Sequence, residues 1–315
     1  MRRLWGGVLL SLGVFLIVLA GMLPFFVADR AIETPIDQYA KTVAPGPGTY
    51  FDTASFSEKR ADLTATRIVK GDVAASSGDV GVWDVSVAVE TGDGSLVRAS
   101  LDRVAFDRKT AQSVDCCGAA VDGEPVRHEG VSYKFPFDTA KQDHLFWDVN
   151  SRKSYPARYI SEEELQGLTV YKFIQEIPGQ QLRTTEVPGS LVGESDQSYE
   201  APVWYQNTRT VWVEPKTGVI VKGNEQTRTT LRNSQGQDRV VVLEADLTFD
   251  EATQKQQADL ARDGRSSIDL IRLWLPLAAL LIGLILLAAA VLVLRSGDRG
   301  RPAAPATEEP EPALR

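Results

Sequence analysis

The sequence predicts a membrane-anchored, β-rich (α+β) extracytoplasmic domain flanked by two transmembrane helices, and three observations predict it. Two uncharged apolar runs, residues 4–27 and 273–294, lie near opposite ends of the 315-residue chain. Between them, hydrophobic residues recur with a period of two rather than 3.6. Mean hydropathy is only −0.14 despite the two runs, so the middle of the chain is decidedly polar, as a water-exposed domain is. With 43% hydrophobic and 24% charged residues, the composition excludes a disordered chain, a collagen and a multi-span transporter.

The first run, LWGGVLLSLGVFLIVLAGMLPFFV, follows Arg2 and Arg3 and precedes Asp29 and Arg30. A helix over that length covers roughly 36 Å, enough for a hydrocarbon core of about 30 Å. A cleaved signal peptide is the competing reading, with Val18 and Ala20 as small residues before Gly21. The apolar run continues through Met22, Leu23, Phe25 and Phe26, beyond the length of a signal-peptide core, which favours a retained anchor. The second run, LWLPLAALLIGLILLAAAVLVL, sits between Arg272 and Arg295 and lacks the polar stripe of a core helix. Trp5 and Trp274 stand at span ends, where indole rings favour the interface. Near those ends Lys and Arg tie: Arg2, Arg3, Arg295, Arg299 and Arg301 against Arg30, Lys41, Arg262, Arg265 and Arg272. Long loops translocate largely regardless of charge, so the usual orientation is expected. The organisation expected is a cytoplasmic N-terminus (1–3), a span (4–27), an extracytoplasmic domain (28–272), a second span (273–294) and a disordered cytoplasmic tail (295–315), in a two-pass plasma-membrane protein.

Residues 30–271 carry 27 of the 34 Lys and Arg and 37 of the 42 Asp and Glu, a net charge of −10. That sign disfavours nucleic acid and anionic lipid headgroups. Residues 80–90 (VGVWDVSVAVE) alternate, TGDG turns, and SLVRASLDRVAFD returns, which is a hairpin. TRTVWV, the turn EPKTG and VIVK make a second, and TRTTLR pairs with RVVVLEADLTF in a third. SEEELQGL, with Ser161 and Glu164 at capping-box spacing, predicts a short helical turn stopped by Gly167. Residues 104–118 and 211–225 echo one another in an acid followed by a Lys-Thr turn; a duplicated sheet module and two unrelated hairpins both account for it.

Few residues suggest chemistry. Cys116 and Cys117 are adjacent and are the only cysteines. In an oxidising compartment they form a candidate vicinal disulfide, a tight ring because neighbouring Cα atoms lie about 3.8 Å apart. Buried reduced thiols, or a metal held with His128 and His144, are the alternatives, the latter against the usual zinc spacing. Tyr133, Phe135 and Phe137 alternate onto one face of an edge strand broken by Pro136. Trp83, Phe135, Phe137, Trp147 and Trp212 are the candidate lining of an apolar ligand cavity; an ordinary aromatic core is the competing reading. Hydrolase, zincin, P-loop and dinucleotide motifs do not occur, so neither an enzyme nor a cofactor is expected.

The ordered segments LPFFV, TPIDQYAKTVAPGPGTYFD, VWDV, DCCG, HEGVSYKFPFDT, FWD and VWVEPKTGVIVKGNEQ, ahead of the second run, resemble an actinobacterial two-span membrane family of unknown function often labelled "porin PorA family". The resemblance covers nearly the whole chain to residue 294. It implies a cell-envelope protein, and the label implies a pore, but it carries over no catalytic or binding residue. The residues themselves lack the regular amphipathic strands of a membrane barrel, and neither span holds an ionisable residue to line a path. The function expected is therefore non-catalytic: binding or carrying an apolar envelope component, or scaffolding envelope proteins. An oligomeric porin-like channel component is the alternative. Partners expected are the membrane itself, a lipid or other apolar ligand, and envelope proteins.

Overall fold

The structure, a computed structural model, describes residues 2–298, so the expected tail lies outside the described residues from residue 299 onward. The chain forms two compact units, one made of its two ends and one of Glu33–Arg265.

The unit of the ends begins with α1 (Arg2–Met22), a π-helical turn (Leu23–Val27) and α2 (Ala28–Ala31). It closes with a second π turn (Leu270–Trp274) and the last helix, α5 (Leu275–Asp298); α3 (Gly189–Val192) and α4 (Glu251–Asp269) lie between in sequence. Each π turn adjoins a proline, Pro24 within the first and Pro276 just after the second, where the missing N–H disturbs the helical ladder. Helix α1 packs on α5 through glycines. A Cβ on Gly6 would meet Leu294, one on Gly13 would lie 3.0 Å from the Gly283 carbonyl oxygen, and one on Gly283 would strike Ile17. Residue numbers rise along α1 as they fall along α5, so the two helices run antiparallel. The helix at the first run continues to Ala31, four residues past the expected span, and ends where Ile32 turns extended ahead of Pro35.

The larger unit is one antiparallel sheet of twelve strands: β1 (Tyr39–Asp52), β2 (Ser57–Gly71), β3 (Val80–Thr91), β4 (Leu96–Asp107), β5 (Ala120–Val121), β6 (Glu124–Pro125), β7 (His144–Asp148), β8 (Lys153–Leu165), β9 (Leu168–Pro188), β10 (Ser198–Glu214), β11 (Val219–Arg232) and β12 (Asp238–Thr248). The order β6-β5-β4-β3-β2-β1-β12-β11-β10-β9-β8-β7 describes two meanders joined where the first strand meets the last, and the sheet curls into a half-barrel. All three expected hairpins form, as β3–β4, β10–β11 and β11–β12.

The join is short. Strand β1 pairs with β2 along its whole length but with β12 only over Gly48, Thr49 and Tyr50. Pro45 and Pro47 sit at alternate positions with Val43, whose N–H leaves the β2 ladder for Thr253 Oγ1. Both missing N–H groups therefore fall on the β12 side and leave the β2 ladder whole. Gly46 lies so close to β12 that a Cβ would sit 1.9 Å from the Asp246 carbonyl oxygen.

Two expectations are corrected. SEEELQGL is not helical: it ends β8, turns at Gln166 and Gly167 and returns as β9. Its acids bond along and across the sheet instead: Glu164 accepts from Thr169 Oγ1 on β9, Glu163 from Trp212 Nε1 on β10 and from Ser161 Oγ on its own strand, and Glu162 pairs with Lys141. Nor do Tyr133, Phe135 and Phe137 form an edge strand. Residues 126–143 form an irregular segment within the concave side of the sheet, where the Phe135, Asp138 and Thr139 N–H groups bond to Gly218, Lys216 and Pro215 carbonyls. Gly218 allows this clamp, since its φ is +73° and a Cβ would lie 1.9 Å from the Phe135 oxygen. Helix α4 was not anticipated. Asp250 caps it through the Thr253 N–H, and it buries Ala258 and Ala261 against Leu168, Val170 and Val221 on the outer face of the sheet. Its helical periodicity sets alanines against charged and amide residues, with few large apolar side chains to mark the buried face. The echoed turns do share chemistry: Asp107 accepts from the Thr110 N–H and hydroxyl, and Glu214 from those of Thr217. After Glu214, however, the chain re-enters the sheet at once, and after Asp107 it does not.

Candidate functional site: a chamber in the concave face

The concave face of β1–β3 and β7–β12 packs Ala44, Leu63, Val89, Phe146, Phe173, Val211, Leu243 and Leu247 around Phe135 of the inner segment. Within this core the packing leaves a chamber of about 120 Å³. Its lining interleaves apolar residues, Ala44, Ala65, Val87, Val89, Ile220, Leu247 and Phe249, with a polar set, Arg67, Arg98, Ser132, Tyr133, Trp147, Asn150, Arg209, Glu225 and Thr227, and Arg67 and Arg98 stand directly across from Val87 and Val89.

Alternation along β10 dictates the polar set. Arg209 shares the inward face with Val211 and Val213, and the β10–β11 register sets it opposite Glu225. The Arg209 guanidinium donates to Glu225 Oε1 at 3.0 Å, Gln175 Oε1 at 2.9 Å, the Trp147 carbonyl at 3.1 Å and Asp148 Oδ1 at 3.3 Å. Burial alone would favour the neutral guanidine, but Glu225 and Asp148 outweigh it and raise the Arg209 pKa. For Glu225 burial pulls upward, and Arg209 and Arg67 outweigh it, so its pKa is lowered. Asp148 also accepts from Tyr205 at 3.0 Å and from the Ser151 hydroxyl at 2.7 Å, and burial next to that carboxylate raises the Tyr205 pKa. The network continues through Asn150, which donates to the Tyr205 oxygen and accepts from Arg98 at 2.5 Å.

A second buried cluster stands beside it. Asp102 Oδ2 accepts from the Tyr133 hydroxyl at 2.6 Å, and Oδ1 lies 2.7 Å from His128 Nε2, whose ring lies against Trp147 at 4.4 Å. Burial, followed by the nearby Asp102 charge, pushes the Tyr133 pKa well up. Arg67 stands over the Tyr133 ring and makes only a long 3.5 Å contact to Glu225. Four residues of the polar set hold a buried atom without a hydrogen-bond partner among the described residues: Arg67 Nε, Ser132 Oγ, Trp147 Nε1 and Thr227 Oγ1.

The five aromatics expected to line a cavity do not converge. Trp147 lines the chamber. Phe135 is packed solid against Phe173, Phe146 and His144. Trp83 belongs to a side cluster with Phe106, Val85 and Val104. Phe137 is half-buried beneath the Lys134 ammonium, and Trp212 lies on the outer face between Lys172 and Lys222. Cys116 and Cys117 are joined as a vicinal disulfide in a surface turn away from the chamber, with the Cys117 carbonyl accepting from Arg103 Nε at 3.1 Å. Among the described residues no group of three His, Cys, Asp or Glu is placed to hold a metal ion. The sequence signal for this charged lining is the parity that turns Arg209 inward with Val211 and Val213.

A family model described as Porin PorA matches residues 5–292. A Corynebacterium amycolatum protein named Porin PorA is 26% identical over 298 aligned residues, covering 72% of this chain and 77% of the relative. Another Porin PorA, from Corynebacterium resistens, is 29% identical over 194 residues, covering 42% of this chain and 46% of the relative.

Proposed function

The chain belongs to the Porin PorA family of cell-envelope proteins, and on that premise we propose that it acts as a subunit of an oligomeric porin-like channel. The relatives' name points to a pore, and one observation in the spans supports the oligomer. Helix α1 uses Gly6 and Gly13 against α5, yet Gly7 has nothing within 4 Å of its would-be Cβ. With Ser11 one turn on, and Leu4, Val8, Leu12 and Phe15 as rims, Gly7 floors a shallow groove on the helix surface. Small residues four apart let membrane helices approach closely, and Ser11 is the one side chain in either charge-free run that carries a hydroxyl, amide or charge. Association through this face would bring several Ser11 hydroxyls together. The two-pass topology, termini inside and residues 30–271 outside, belongs to the same reading. It requires alkaline phosphatase to be active when fused after Gly94 and inactive when fused after Arg301. Purified full-length protein in planar bilayers should give stepwise conductance, lost together with oligomers in Gly7→Leu. A wild-type protein that stays monomeric and silent sinks the channel.

A second reading has its own observation, the chamber with its partly apolar lining. Here the outer domain binds or carries an apolar or amphipathic envelope component, or scaffolds other envelope proteins. A cavity of about 120 Å³ is smaller than the roughly 150 Å³ cavity that admits benzene, so the chamber alone does not accommodate a long acyl chain. Lipid mass spectrometry of organic extracts from the purified full chain tests this reading; extracts with nothing beyond bulk membrane lipid count against it. In both readings the protein is non-catalytic. Its one buried histidine–carboxylate pair supports this, being enclosed, with side chains 1% and 2% exposed.

A further inference from the structure

The chamber has a neighbour. Arg98 and Leu243 stand between it and a second hollow of about 460 Å³, lining both, at the end of the half-barrel where the 53–56, 92–95, 189–197 and 233–237 turns lie. This outer hollow is a mainly apolar groove, walled by Phe51, Leu182, Val187, Leu191, Leu231 and Val242, with Arg183 and Glu186 also on its lining. Phe56 stands at its rim, 61% exposed, and its ring meets Phe51 edge-on at 6.1 Å. The groove by itself lies within the roughly 300–1,000 Å³ of ordinary ligand sites, whereas the chamber does not.

The charges within are unequal. Three arginines and one glutamate line the chamber. Arg209 is saturated by Glu225, Asp148 and two neutral oxygens, and Arg67 shares the same glutamate. Arg98 is different: it donates to the neutral Asn150 amide oxygen and joins no ion pair among the described residues. The unpaired cation therefore stands between the chamber and the mainly apolar groove. Around the chamber, Arg67, Ser132, Trp147 and Thr227 each retain a polar atom without a partner, and each of these groups can donate to an anion.

We propose that the two hollows form one binding site for a single-chain amphiphile with a carboxylate head, a fatty-acid-type ligand, whose head lies in the chamber against Arg98 and whose chain lies in the apolar groove. Arg98 supplies the counter-charge, the unpartnered donors the remaining hydrogen bonds, and the groove the room for apolar burial that the chamber lacks. The inference rests on the second reading above and narrows it; it does not depend on the channel.

The test uses the full chain in nanodiscs, with radiolabelled palmitate and its methyl ester as probes and empty nanodiscs subtracted. Wild type should take up the acid saturably at one per chain and bind the ester at least tenfold more weakly, as losing a charge-assisted bond to Arg98 requires. Arg98→Gln should weaken acid binding at least tenfold and leave ester binding unchanged, and Arg98→Lys should retain most acid binding. Leu182→Trp, which narrows the groove from a half-buried position, should weaken both. Equal wild-type binding of acid and ester overturns the carboxylate assignment while leaving apolar binding intact, a result that needs no variant to fold. Uptake no greater than that of empty discs overturns both.

Discussion

The molecule contains two interiors built on opposite principles. Between α1 and α5 the contact is made by what is missing: Gly6, Gly13 and Gly283 let backbones and aliphatic side chains close in. Within the concave sheet the contact is made by what is added, for Arg209, Glu225, Asp148, Tyr205 and Gln175 bring charge and hydrogen bonds into an otherwise aliphatic core. The first interior needs no partners satisfied and tolerates change wherever space allows. The second holds only while every member is present, because removing one leaves another buried and unpaired.

The largest effect should come from breaking the second interior at its centre. Arg209→Met strands Asp148, which is fully buried, beside Glu225, which keeps 29% of its side chain accessible. Loss of a buried pair costs about 3–5 kcal/mol, and the accessibility of Glu225 places the cost near the lower end. Thermal unfolding followed by tryptophan fluorescence should show the twelve-stranded unit melting on the order of 10 °C lower. An unchanged midpoint would mean the network contributes nothing net.

Next is the clamp that holds the inner segment. Gly218→Ala places a methyl group against the Phe135 oxygen at a backbone angle that L-residues avoid, and should cost about 2–4 kcal/mol in the same melt. The helix pair should respond less. Gly13→Leu forces α1 from the Gly283 backbone, a loss of about 1–2 kcal/mol of helix association. Crosslinking between Gly6→Cys and Leu294→Cys, with Cys116 and Cys117 replaced by serine, should fall severalfold.

The smallest effect sharpens the comparison through pH. Burial pushes the Lys134 ammonium down to about 7. An unfolded lysine titrates near 10.4, so between pH 7 and 10 the unfolded chain holds a proton that the folded chain has shed. Stability should therefore rise as pH rises through that window, and below pH 7, where both states are protonated, the contribution is absent. The Phe135 carbonyl at 2.9 Å and the Phe137 ring favour the charged form and keep the rise below the roughly 4–5 kcal/mol that the full shift would give. Lys134→Met should flatten the curve relative to wild type; parallel curves would exclude the assignment.

The same contrast explains what could be read in advance. Charge-free runs announce membrane helices because lipid forbids alternatives, and three hairpins were legible because Gly-rich or Pro-containing turns separate alternating strands. Buried charge in a curled sheet is harder. Arg209, Glu225 and Asp148 carry the same letters as the solvated Arg228, Glu244 and Asp246, and only strand parity and the curl of the sheet separate them. The aromatics misled for a related reason. Trp83, Phe135 and Trp212 went to three different clusters, and their number described core volume rather than a cavity wall. At residues 161–168 a capping-box spacing competed with strand pairing, and the β9 ladder prevailed.

The short join between β1 and β12 also has a consequence for how the chain is born. Tyr50 must wait for Leu243, so during synthesis the first strand presents a bare edge for roughly 10–40 s at common elongation rates. A long open edge of that kind invites pairing with the wrong chain. Pro45 and Pro47 remove donors from that edge, and the pairing they cost in the finished sheet is the same pairing they deny to a stranger during the wait.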